Sequence, residues 1–138
     1  MNYYPVMTTK RLLVLKNLSL VIALGWTVFI GYLCLANFKK LPNFGVSQMD
    51  KYVHFTFHFI FTITWGTYSW LQEKKLLLAK IKQIVIASIL YGILIEILQG
   101  GFTATRTADI FDVFANTTGA TIGYLVFIIL QKNKISFQ

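Results

Sequence analysis

Four stretches of mostly apolar residues, at about 18–38, 52–71, 81–100 and 108–130, each approach the length that carries an α-helix across a bilayer. Inside lipid, backbone groups must find partners within their own segment, which leaves helices or closed barrels as the spanning structures. With only 13% of its 138 residues charged and 56% hydrophobic, the chain is poorly suited to water. The expectation is one all-α domain over residues 1–138, a multi-pass membrane protein of four transmembrane helices. Short connections make sequence neighbours antiparallel neighbours, so the four form an antiparallel bundle. The first stretch exceeds a signal-peptide core and lacks a clean cleavage site, so it reads as a retained helix.

Basic residues set the orientation. Of the 13 Lys and Arg, nine lie at the N-terminus (Lys10, Arg11, Lys16), in the second connection (Lys74, Lys75, Lys80, Lys82) and in the tail (Lys132, Lys134). Lys39, Lys40, Lys51 and Arg106 fall on the other side. The expected location is the cytoplasmic (inner) membrane, with both termini cytoplasmic. A net charge of +8 in a soluble chain would suggest nucleic acid. Here the cations flank apolar runs, as anchors beside anionic lipid do, so the partners are membrane lipids and not nucleic acid. The lone Cys34 permits no intramolecular disulfide.

The acids divide the other way. Asp50, Glu96, Asp109 and Asp112 fall at the outer side and Glu73 alone at the inner. Acids hardly influence insertion, so the division calls for another cause. Ionisable groups at or inside a membrane edge are functional-site candidates. At 100° per residue, Asp109, Asp112, Asn116, Gly119 and Gly123 share a face roughly 80° wide, with Asn116 about 12 Å below the surface. The glycines allow a neighbouring helix close, turning the polar residues toward the bundle. Glu96 and Gln99 share a face near the end of the third stretch, Glu96 about 6 Å inside. Arg106, in the following loop, is the expected carboxylate partner. Asp50, His54 and His58 form one stripe on the second stretch. His58 reads as a buried hydrogen-bonding residue and Lys51 as an interfacial anchor. For Asp109, a helix-dipole partner is the plain alternative.

The expected ligand-binding set is Asp50, His54, Glu96, Gln99, Arg106, Asp109, Asp112 and Asn116. If the chain is catalytic, His54, Glu96 and Asp112 are the candidates, as general acid, general base or orienter. His with carboxylates is a possible divalent-metal donor set, yet no HExxH or similar spacing occurs, so no metal site and no cofactor is assigned. No GxSxG nucleophile or phosphate-binding glycine loop is present.

Asp50-Lys51-x-x-His54-Phe55, Glu96-x-x-Gln99, and Arg106 followed by Asp112, Asn116, Gly119 and Gly123 resemble the VanZ-like family. The resemblance covers about residues 50–130. It departs from the family in lacking a proline in the loop before Arg106 and in carrying Asp109 where a small polar residue is commoner. It implies a small bacterial multi-pass membrane protein; the founding member is associated with low-level teicoplanin resistance. A lipid-linked or glycopeptide-like ligand at the outer pocket is then expected. An enzyme acting on a lipid-linked headgroup, and a purely structural or partner-binding bundle, remain alternatives. A proton or ion path is a weaker one, since the inner halves of the stretches offer nothing to continue it.

Overall fold

The structure, a computed structural model, describes residues 9–36, 49–102 and 108–133. These residues form four α-helices and no strand: α1 Thr9–Leu35, α2 Met49–Glu73, α3 Leu78–Phe102 and α4 Ile110–Lys132. Three helices, α1, α3 and α4, are long and apolar enough to cross a membrane. The fourth expected span, α2, is not one of these three. At 25 residues, α2 is about 37 Å long, which suffices, but it falls short in apolarity. The shortfall comes from its inward stripe: His54, His58 and Thr62 are at most 2% exposed. The helices also overrun the expected segments. α1 begins at Thr9, so Lys10, Arg11 and Lys16 lie within the helix.

Contacts between α2 and α4 advance together along both helices. Lys51 meets Asp109 and Asp112, and His54 meets Asn116. Further along, Thr62 lies against Gly123 and Gly66 against the Phe127 ring. The two helices are therefore parallel, and this is the most extensive packing in the bundle. α3 runs against both, pairing His58 with Ser88 and bringing Gly92 beside Asn116. α1 follows α3: Tyr91 Oη donates to the Thr27 carbonyl and Gln99 Nε2 to that of Cys34. The direction alternates from each helix to the next, as an antiparallel bundle requires. α1 packs on α2 and α3 but not on α4 among the described residues.

Small residues explain the closeness of α2 and α4. A Cβ at Gly119 would land on the Phe55 carbonyl oxygen, and one at Gly123 would lie 2.9 Å from Thr62 Cβ. Lipid offers no hydrophobic drive between helices, so this fit supplies association through close packing. Two apolar layers lie below the polar end. One holds Ile30, Cys34, Phe57, Phe61 and Ile95. The other holds Trp70, Ile81 and Phe127. Hydroxyls on the outer surfaces bond within their own helix: Thr118 to Phe114 O and Thr121 to Thr117 O, both at 2.8 Å. That satisfies groups which hydrocarbon could not.

The α2–α3 connection is four residues, 74–77. Lys74 closes α2 with φ at 56°, the left-handed conformation common just past a helix end. Near this connection a groove opens between α2 and α3, lined by Phe61, Trp65, Tyr68 and Ile84 among others. It lies at the end of the bundle opposite the polar cluster.

Candidate functional site

The site is built where the starts of α2 and α4 meet the end of α3. Asp109 is the N-cap of α4, and its carboxylate accepts the Phe111 N–H at 2.8 Å. A side-chain acceptor here satisfies one of the donors a helix start leaves free. The same carboxylate takes Lys51 Nζ at 2.7 Å, while the Asp109 backbone N–H donates to Glu96 Oε2 at 2.9 Å. One residue thereby ties three helices together. The Lys51 ammonium, followed by the Phe111 N–H, holds the Asp109 carboxyl below its ordinary range.

Lys51 also reaches Asp112 Oδ1 at 3.0 Å; the Asp112 side chain is only 5% exposed. The other Asp112 oxygen, Oδ2, faces His54 Nε2 at 3.8 Å, and Asp50 Oδ1 faces that same nitrogen at 3.9 Å. Both separations exceed hydrogen-bond length. His54 Nδ1 lies 3.2 Å from Asn116 Oδ1 and 3.9 Å from Glu96 Oε1. With the amide oxygen as acceptor, Nδ1 carries a proton and Nε2 faces the two aspartates. Among the described residues, Glu96 Oε1 and Asn116 Nδ2 are buried without a hydrogen-bond partner. Gly92 makes room for this layer: a Cβ there would sit 2.7 Å from Asn116 Nδ2 and 3.1 Å from His58 Cε1.

Of the residues singled out from sequence, Asp50, His54, Glu96, Asp109, Asp112 and Asn116 come together. Gln99 donates to the Cys34 carbonyl at 2.8 Å, anchoring α3 to α1. Arg106 lies outside the described residues, as does any pairing between it and Glu96. Within them, Glu96 is held by the Asp109 backbone. Lys51 corrects the reading as an anchor, since it joins two carboxylates of α4. A signal was available: Lys51 precedes His54 by three residues and shares its helical face. His58, bonded to Ser88 Oγ at 2.8 Å, is the buried hydrogen-bonding residue expected. The partner Ser88 was missed, because a serine inside an apolar run carries no distinguishing pattern.

The described cluster therefore sets four carboxylates against one lysine. It is an acidic cluster with histidine at its centre, suited to a cation or to proton exchange. Long apolar helices closing over buried ionisable groups at one end define a helical membrane protein. The VanZ/LLP1 family model matches residues 2–131, and the chain belongs to that family. No curated protein matches the chain, and no solved structure does either.

Proposed function

We propose that this VanZ-family protein sits in the cytoplasmic membrane with both termini inside and all four helices crossing, and that its polar cluster binds the headgroup of a cell-envelope lipid or lipid-linked precursor at the outer leaflet. Holding such a precursor would screen it from glycopeptides of the teicoplanin kind. The observation that carries this reading is unspent polar capacity: among the described residues Glu96 Oε1 and Asn116 Nδ2 are buried without a hydrogen-bond partner, and His54 Nε2 stands 3.8 and 3.9 Å from its two carboxylates. Each such group costs about 1–3 kcal/mol. A network kept only for packing has every reason to satisfy them, whereas a binding site leaves them for its ligand.

The placement of His54 Nε2 between Asp50 and Asp112 favours one second reading, an enzyme using His54 as general base on the same headgroup. The test is teicoplanin susceptibility in cells carrying equal membrane levels of wild type, Glu96→Gln or Asp112→Asn. Protection by wild type that disappears in both variants, with their thermal stability intact, is the expected result. Loss of protection and stability together points to a structural network, and absence of protection by wild type removes the drug from the reading.

A further inference from the structure

We propose that Asp50, His54 and Asp112 bind a single divalent cation of the zinc or manganese class. One donor atom from each lies within 4.8 Å of the others, and Nε2 stands 3.8 and 3.9 Å from the two carboxylate oxygens. These gaps are too long for hydrogen bonds. Two donors bound at about 2.1 Å in tetrahedral geometry stand roughly 3.4 Å apart, so the two histidine–carboxylate edges need to tighten by about half an ångström and the edge between the carboxylates, within 4.8 Å, by at most about 1.4 Å.

The surroundings provide an independent argument. A metal-binding histidine usually gives its second ring N–H to an oxygen acceptor, which fixes the ring and its tautomer. Here that acceptor is Asn116 Oδ1, 3.2 Å from Nδ1, and His54 is 2% exposed. Lys51 engages Asp112 through Oδ1 alone, steadying the carboxylate and leaving Oδ2 turned to the histidine. Asp50 and His54 are one turn apart on α2, and the close approach at Gly119 brings Asp112 of α4 level with them. One imidazole and two carboxylates suit zinc or manganese better than a soft ion such as Cu(I).

Three protein donors leave a coordination position open, and the Asp50 side chain, 56% exposed, puts the group at the edge of the cluster. A bound dication would offset two of the cluster's negative charges and offer a coordination position to a phosphate oxygen of an anionic headgroup. That second step rests on the headgroup reading above; the metal site itself does not.

The experiment uses the full chain in detergent, stripped with chelator and titrated with Zn2+ and separately with Mn2+ by calorimetry. The expected result is one ion per chain, bound at least tenfold more weakly by Asp50→Asn and lost in His54→Gln. No stoichiometric binding by either ion, or binding unchanged by Asp50→Asn, overturns the site. Asp50 is exposed, so this variant keeps the test decisive even if His54→Gln fails to fold. Dodecyl phosphate is then titrated into the metal-loaded protein. Binding that requires the metal supports the second step, and metal binding without phosphate binding overturns that step while the site stands.

Discussion

The Lys51 ammonium bridges Asp109 and Asp112, so its removal leaves the buried Asp112 carboxylate without this partner. Lys51→Met is expected to lower stability by about 2 kcal/mol, read as a fall in Tm in detergent, and to be partly rescued by Asp112→Asn in the same chain. The Asp109 carboxyl is held down by its lysine partner. Its folded-state pKa lies below the ordinary 3.8, so its contribution is complete above that pH and fades as pH falls through the folded value. The Tm difference between wild type and Asp109→Asn should hold steady from neutral pH to about 5 and shrink below about 4. A gap unchanged at pH 3 would show that the charge contributes nothing. Most members of this cluster were legible from sequence, because charge beside an apolar run is conspicuous. The roles of Lys51 and of the Asp109 backbone were not, since both depend on which helix faces which.

Among the elements, the α2–α4 seam decides whether the site exists. Gly119→Ala drives a Cβ into the Phe55 carbonyl and should cost about 1–3 kcal/mol, separating the helix that carries Asp50, Lys51 and His54 from the one that carries Asp112 and Asn116. Gly25→Ala on α1, where nothing lies within 4 Å, is the control and should leave Tm unchanged or raise it. Lys74, held at φ 56°, offers the reverse effect: Lys74→Gly should relieve about 1 kcal/mol of left-handed strain and raise Tm. Helix number and the close-packing glycines could be read from the chain, because both follow from local pattern. The lower apolarity of α2 was harder to read, because its aromatics mask a polar stripe. That stripe makes sense only once α4 covers it.

For the whole molecule, the charge asymmetry predicts a topology that labelling can check. The native Cys34 is buried, so single cysteines can be introduced over a quiet background. In intact cells a membrane-impermeant maleimide should modify Met49→Cys and spare Lys75→Cys, with the pattern reversed in inverted vesicles. Labelling of both from one side would mean that α2 lies on the membrane and does not cross it. The parallel pairing of α2 with α4 also bears on biogenesis. α2 emerges from the ribosome well before α4, so a nascent chain holds His54 without Asn116 and Lys51 without its two aspartates. The least apolar helix is thus the one whose shield is synthesised last. A chain halted before Ile110 lacks that shield and should be degraded faster by membrane-quality-control proteolysis than the full chain.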